Sequence, residues 1–213
     1  MKNSVVHHSE AWALYISSSK NIDVSTSDFI GAKAIGVNLN SVTNVHLDEI
    51  FVADVTKRVW TAMDNMLDKE ACVAFCSYWE PNSCRDSSVT NSIAAGCAFA
   101  GFIAPGHECE DEASTKFSGN VAHSSERAGA HIYPDPSSSK SRSCYEGSNF
   151  SAYKNRDGGL STMYSTADLR MRDMTFVDNE KGVSLQTAGE REQISISMTD
   201  VQIYGEMDNL DAP

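Results

Sequence analysis

Two stretches of the chain, SKNIDVSTSDFIG at residues 19–31 and VTNVHLDEIFVAD at residues 42–54, repeat one pattern. Each has an asparagine, then two apolar residues separated by a spacer, and then an acidic residue with an apolar pair. Self-similarity at a fixed, short period is typical of chains in which one structural unit is stacked on the next. The spacing of these two stretches is about one coil of a solenoid, and the fold is predicted from it.

Weaker matches to the same template continue along the chain. They are SVTNSIAAGCAFAGF from Ser88, TKFSGNVAHSSERAGAHIY from Thr115 and DMTFVDNEKGVSLQ from Asp173; VVHHSEAWALYI at the start repeats the His-Ser step of NVAHSSERAGAHIY. Degenerate repeats of roughly 20 to 30 residues, made of short strands and turns, indicate a parallel β-helix. We therefore predict an all-β, right-handed parallel β-helix with cysteine-braced loops, with residues 1–213 as a single segment.

Local signals add detail to this prediction. Residues 55–75 are the one run with helical spacing, and residues 134–143 and 154–159 are predicted as exposed loop insertions. Asparagine tolerates the left-handed backbone of a tight corner. We accordingly place at corners Asn21, Asn44, Asn91, Asn120 and Asn179.

Charge and hydropathy exclude two classes of partner. The chain has 17 basic and 29 acidic residues, a net charge of −12. This is the wrong sign for a phosphate-binding surface, so nucleic acid is not expected as a partner. No apolar run approaches the roughly 20 residues that cross a bilayer, so no direct membrane insertion is expected. The start lacks a secretory signal, and we expect the sequence to be a piece of a longer chain.

The cysteines indicate an oxidising location. They are even in number, lack paired zinc-type spacing, and are Cys72, Cys76, Cys84, Cys97, Cys109 and Cys144. Such a set favours disulfides in an extracellular segment. We expect most of them to be oxidised, with Cys76–Cys84 as a local pair and Cys109–Cys144 as a longer one. Asn149, in the sequence NFS, is a candidate for glycosylation.

Five motifs carry a family resemblance. In order they are SVTNSIAAGCAFAGFIAPGHEC, FSGNVAHS, CYEGSNFSAYK, FVDNEKGVSL and IYGE. With them the chain resembles the extracellular region of the fibrocystin-L and fibrocystin (polyductin) family, very large cell-surface proteins with parallel β-helix (PbH1) repeats. The resemblance extends over nearly the whole chain.

The resemblance implies a glycoprotein module at the cell surface, with a cilium or flagellum as one expected place, and a structural or adhesive role without enzymatic activity. Its expected partners are other segments or subunits of an extracellular assembly, together with glycans. The alternative is a carbohydrate-active β-helix enzyme, a glycosidase or lyase, because the family is similar to hyaluronan-degrading proteins.

Several residues are candidates for functional sites, and none is predicted to be catalytic, metal-binding or cofactor-binding. His123 is expected to be a half-buried or buried corner histidine tied to the backbone. PGHECEDE at residues 105–112 is expected to be a disulfide-bearing acidic loop rather than a zinc or calcium site. A glycosidase would need two carboxylates across a groove, and the residues weighed for that role are Glu126, Asp135, Glu146 and Asp157. Aromatic residues weighed as a sugar-stacking platform are Trp12, Trp60, Trp79, Tyr133, Tyr145 and Tyr153.

Overall fold

The structure is a computed structural model that describes residues 1–56, 71–75, 84–105, 107–108, 116–133, 143–165, 168–187 and 195–205. Its strands, numbered in chain order, form two sheets. The first sheet contains β1 (Val5–His7), β3 (Lys20–Ile30), β5 (Val42–Val55), β7 (Cys84–Arg85), β8 (Ser88–Thr90), β9 (Ile93–Cys97), β11 (His107–Glu108), β12 (Lys116–Ser118), β13 (Val121–His123), β15 (Ser143–Tyr153), β17 (Asp168–Val177) and β19 (Ile196–Tyr204). The second contains β2 (Trp12–Ser17), β4 (Ile35–Asn40), β6 (Val73–Phe75), β10 (Ala100–Pro105), β14 (Ala128–Tyr133), β16 (Gly158–Ser165) and β18 (Val183–Thr187).

The chain alternates between the two sheets, and each pass through a sheet stacks one strand or several short strands beside those of the preceding coil. β3 lies beside β5 with Lys20 opposite Thr43 and Ile22 opposite Val45, so Asn21 stands opposite Asn44. The two repeats that predicted the fold are thus stacked one coil apart in matching register. Among the described strands, β11 with β15 is the antiparallel exception. The prediction of an all-β parallel β-helix is confirmed.

The corners of the coils are columns of residues with left-handed backbone. One column bends the long strands of the first sheet in the middle, and another ends them; a left-handed residue at the same register position in each coil keeps the bends aligned. The first column contains Thr26, Glu49, Asn91, Gly119, Asn149, Asp173 and Asp200, and the second contains His8, Gly31, Asp54, Gly96, Ser124, Lys154 and Asp178.

The asparagine prediction is right at three positions and wrong at two. Asn21, Asn44 and Asn91 have φ angles of 57°, 54° and 49°. Asn120 and Asn179 are not in left-handed conformations. Their side chains instead bond to backbone inside the solenoid: Asn120 Nδ2 donates to Val89 O at 2.9 Å, and Asn179 Nδ2 donates to Ala152 O at 2.8 Å.

Aromatic side chains from successive coils form the centre of the core. Phe150 contacts Phe117 at 5.4 Å and Phe176 at 6.3 Å between ring centroids, and Phe102 reaches it from the second sheet at 6.2 Å. All four rings are at most 5% exposed. Because no coil can bury such a ring alone, the column holds neighbouring coils together.

Two predicted departures from the solenoid need revision. The run at 55–75 begins at the end of β5 and finishes in β6, while residues 57–70 lie outside the described part. Residues 154–159 are not an exposed insertion: Lys154 is a corner residue, Asn155 is buried, and Gly158 opens β16. Of 134–143, only Ser143 is described, as the first residue of β15. Within the described ranges no helix is long and apolar enough to cross a bilayer.

The disulfide that the structure shows was not among the predicted pairs. Cys72 precedes β6 and Cys97 ends β9, and their sulfurs are bonded, with 25 residues of sequence separation. Both are at most 1% exposed, so the bond lies in the core. The side chains of Cys76, Cys84, Cys109 and Cys144 lie outside the described residues, and the pairs Cys76–Cys84 and Cys109–Cys144 stay predictions.

Replacing both bonded cysteines, as Cys72→Ala with Cys97→Ala, is expected to lower the free energy of unfolding by about 3 kcal/mol. Closing a loop of 25 residues restricts the unfolded chain by roughly that amount. Urea denaturation of the double variant and the parent protein measures the difference. If removing the bond leaves stability unchanged, the Cys72–Cys97 connection is absent from the native protein.

Candidate functional site

A groove of about 560 Å³ lies on the outer face of the first sheet. It crosses β8, β12, β15, β17 and β19, which at the usual strand spacing is a length of about 20 Å. Most side chains there are outward-facing polar or charged groups, and the buried core residues Phe117 and Met171 also contribute to the lining. The described lining residues are Thr90, Phe117, Ser118, Glu146, Gly147, Ser148, Arg170, Met171, Arg172, Ser197 and Thr199.

The polar groups of the groove are of two kinds. One is a row of hydroxyls at a single register position, in which Ser118 Oγ lies 2.9 Å from Ser148 Oγ. The other is charged: Arg170 Nη1 donates to Glu146 Oε1 at 3.0 Å. Arg172 follows the same row as the serines, is exposed, and has no ion pair in the part of the chain that the structure describes. The groove therefore offers hydroxyls and one unpaired guanidinium.

A hydrogen-bonded chain beside the groove joins three coils. His46 Nδ1 lies 2.8 Å from Ser88 Oγ, and His46 Nε2 lies 2.9 Å from Asn44 Oδ1. The Asn44 amide is oriented because its Nδ2 donates to Asn21 Oδ1 at 2.8 Å. Nε2 therefore carries the proton, and Ser88 donates to Nδ1. The order serine, histidine, amide also occurs in activated nucleophiles. Ser88 is 7% exposed, so its hydroxyl is largely covered, and the hydrogen bonds join strands of neighbouring coils.

A second, smaller cavity of about 160 Å³ lies against the second sheet. His131 on β14 lines it, is 6% exposed, and bonds through Nδ1 to Ser161 Oγ on β16. Phe99 packs its ring edge-on against His131, and the Arg127 guanidinium lies over Phe99 at 5.4 Å from the ring centroid. Burial, and then the Arg127 charge, lower the pKa of His131 to about 4.

This histidine predicts a pH dependence of stability. The unfolded imidazole has a pKa near 6.5, whereas the folded one is near 4, so the unfolded state binds more protons between these values. Stability is therefore lost as pH falls from about 6.5 to 4. For His131→Gln, we expect the loss between pH 7.5 and 4.5 to be smaller than in the parent protein by about 2 kcal/mol. Urea denaturation at the two pH values measures it; parallel losses in both proteins would contradict the assignment.

His123 is half-buried as predicted, but it is not held by the backbone contact that was expected. Its Nδ1 lies 3.2 Å from Ser124 Oγ, and its ring stacks on Tyr153 with centroids 4.7 Å apart. Partial burial lowers the pKa of His123. The His-Ser step at the start of the chain was expected to match the one at His123. The strand register instead aligns His8 with Ser124, one residue further on. His123 thus belongs to the outer face of β13 and not to a corner.

Asn149 occupies a left-handed corner with φ of 49° and is exposed. Phe150 beside it is fully buried, so the sequon crosses from the surface into the core within one residue. The Asn149 amide is accessible to modification in this position, and its glycosylation stays a prediction.

The remaining residues weighed from the sequence are not brought together. Glu146 pairs with Arg170 in the groove, Asp157 lies 3.5 Å from Lys181 at the second cavity, and Asp135 is outside the described residues. Trp12 stacks on Tyr15 at 4.9 Å on the second sheet, whereas Tyr153 is on the first, so these two do not share a platform. The remaining aromatic side chains weighed, Trp60, Trp79, Tyr133 and Tyr145, are outside the description.

The acidic segment at 105–112 is described only in part. His107 and Glu108 form β11, whose backbone pairs with Cys144 and Ser143. Their side chains, and Cys109 to Glu112, lie outside the described residues. Elsewhere in the described chain, no group of three or more His, Cys, Asp or Glu side chains is placed to hold a metal ion.

Comparison with known proteins gives a distant sequence relative. No family model matches the chain. Fibrocystin of the dog, Canis lupus familiaris, is 25% identical over 181 residues, which is 85% of this chain and 4% of that protein. The chain thus spans a small part of the length of the curated relative that it matches. Together with the β-solenoid, this similarity supports the resemblance to fibrocystin; it does not distinguish fibrocystin-L.

Among solved structures, QnrB1, a plasmid-mediated fluoroquinolone resistance protein, covers 94% of this chain and 91% of its own at 12% identity. The TM-score is 0.19, too low for the superposition to carry an argument.

The sequence did not predict the groove, because its residues are brought together only by the register between coils. Ser118, Ser148 and Arg172 are tens of residues apart in sequence and become neighbours only through the coil register. The alternation of side chains along SCYEG and LRMRD does indicate which positions face outward. It does not indicate which outward residues of neighbouring coils lie side by side. The burial of His131, which lines the cavity, was also not predicted. Its position in AGAHIY faces outward, where a covered ring is not expected.

Proposed function

We propose that this chain is a structural and adhesive module of an extracellular assembly at the cell surface, resembling the fibrocystin-L family, with a cilium or flagellum as one place for it. The observation that carries this proposal is the agreement of two facts. The described part of the chain is a stack of coils with parallel strands, and the chain is similar over 85% of its length to fibrocystin. A rigid stack presents fixed lateral faces along its length, which suits adhesion.

The Cys72–Cys97 disulfide supports an oxidising location, since such bonds persist outside the cytosol and are rare within it. The test is surface biotinylation of the native protein on intact cells, followed by thiol trapping of these two cysteines. We expect biotinylated protein with both thiols blocked from alkylation. An intracellular pool with free Cys72 and Cys97 would contradict the extracellular proposal.

The partners proposed are other segments or subunits of the same assembly, together with glycans. β19 pairs with β17 along one edge, and no strand within the described residues pairs with its other edge. Ile203 is 57% exposed there, although its register partner Phe176 on β17 is fully buried. An apolar stacking position beside an open strand edge favours continuation by further β-structure.

Cross-linking mass spectrometry of the native assembly tests this partnership. We expect cross-links that connect β19 and its flanking residues to another segment or subunit. Ile203→Lys should weaken that contact, whereas Ile93→Lys, on a lateral face, is the matched control. A β19 edge that is free of partners in the native assembly would contradict the proposal.

Of the two functions considered, the geometry supports binding over catalysis. Glycoside hydrolysis needs two carboxylates about 5 to 10 Å apart, and Glu146 is the one carboxylate among the described lining residues of the groove. Glu146 is also engaged by Arg170. We propose a non-catalytic role. Time courses with extracellular polysaccharides test it, and progressive shortening of a substrate by the purified protein would establish the glycosidase or lyase alternative.

A further inference from the structure

We propose that the groove on the outer face of the first sheet binds an acidic oligosaccharide whose charge is a sparsely spaced carboxylate, as in an unsulfated uronic-acid glycan. This inference rests on the proposed adhesive function and specifies its ligand class. It is carried by the hydroxyl row and the unpaired guanidinium.

The groove is preorganised for an extended polar ligand. Ser118, Ser148, Arg172 and Thr199 occupy one register position on successive strands, so the sheet fixes their spacing at about 4.8 Å per step. Placing donors on rigid strands reduces the ordering cost that binding incurs. A ligand that lies along this row would meet a hydroxyl or guanidinium at each step, a pattern suited to a chain of sugar hydroxyls.

Arg172 supplies a charge that has no ion-pair partner among the described residues. Arg170 is neutralised by Glu146 at 3.0 Å, whereas Arg172 is exposed and has no ion pair in the described chain. Its planar guanidinium can donate two parallel hydrogen bonds to a carboxylate. The groove therefore carries a local positive charge on a protein whose net charge is −12.

The acidic residues around Arg172 favour a ligand that carries few negative charges. The corner residue Asp173 follows Arg172 directly in the chain, and the whole chain is acidic. A densely sulfated chain would meet this repulsion at every sugar, while one carboxylate at Arg172 gains attraction at a single point. The chemistry thus favours a glycan in which neutral sugars alternate with uronic acids.

The experiment is calorimetric titration of the folded protein with three hexasaccharides: heparosan, which alternates uronate and neutral sugars, heparin, which is sulfated, and maltohexaose, which is neutral. We expect binding in the order heparosan, then heparin and maltohexaose. Arg172→Gln should weaken heparosan binding about 10-fold or more, because a charge-assisted hydrogen bond is lost. Amide shifts on titration should map to Ser118 and Ser148.

Arg156→Gln is the control, since it removes the same charge from an exposed arginine outside the groove. Its affinity should match that of the parent, and thermal melting should show both variants folded. Equal affinity for maltohexaose, tighter heparin binding, equal loss in the control, or no binding to any of the three would each overturn the inference. None of these outcomes affects the surface-labelling test, so failure here is distinguishable from failure of the proposed location.

Discussion

Phe150→Ala is expected to lower the free energy of unfolding by about 3 to 5 kcal/mol, the range for removing a fully buried aromatic ring. Phe150 has no exposed surface and contacts Phe117 and Phe176 on the coils at either side and Phe102 on the second sheet. Both sheets hold their strands at a fixed hydrogen-bonded spacing. The walls of the resulting cavity can therefore relax little, which places the cost in the upper part of the range for core truncations.

Urea denaturation of the variant and the parent protein measures this effect. Tyr153→Ala is a matched control from the same strand, because Tyr153 is 37% exposed and has His123 as its ring partner on the outer face. We expect its cost to be about 1 kcal/mol. Similar losses for the two variants would show that β15 does not place Phe150 inward.

The fold could be predicted because each repeat is a continuous stretch of the sequence. Residues 19–31 and 42–54 stack in register, and Asn21 and Asn44 are both left-handed corners joined by a side-chain hydrogen bond. A corner requires a left-handed backbone at one residue, and this requirement favours asparagine at that position, so it can be recognised in a single sequence.

The features that could not be predicted depend on distance between coils. Cys72 and Cys97 are close because two coils bring β6 and β9 together, and six cysteines in sequence permit many pairings. Asn120 and Asn179 have the composition of corner residues, yet they lie one register position away from the left-handed columns and face inward. A shift of one residue reverses the face of a strand, and the sequence pattern does not fix register to one residue.

Asn155 shows the energetic consequence of such an inward asparagine. Its Oδ1 accepts from Ser125 N at 3.0 Å, while its Nδ2 donates to Ala122 O at 3.3 Å and to Asn179 Oδ1 at 3.0 Å. Asn155 is 1% exposed, so water does not reach this ladder. The side chain joins coils on both sides of its own and satisfies groups that the sheets leave unpaired.

Asn155→Ala is therefore expected to lower the free energy of unfolding by about 3 to 5 kcal/mol, because each buried group left without its partner costs about 1 to 3 kcal/mol. Urea denaturation measures the change, with Asn44→Ala as the control. Asn44 also bonds to an asparagine one coil away, at 2.8 Å, and to His46 Nε2 at 2.9 Å, but it lies in an exposed corner where water replaces the lost partners, so its cost should stay near 1 kcal/mol. If the two variants are equally destabilised, burial does not strengthen the interior ladder.

Asn155→Asp offers a further check, since it keeps the acceptor for Ser125 N and removes the donors. We expect its loss at neutral pH to be at least as large as that of alanine, because the carboxylate would be buried against the oxygens of Ala122 and Asn179.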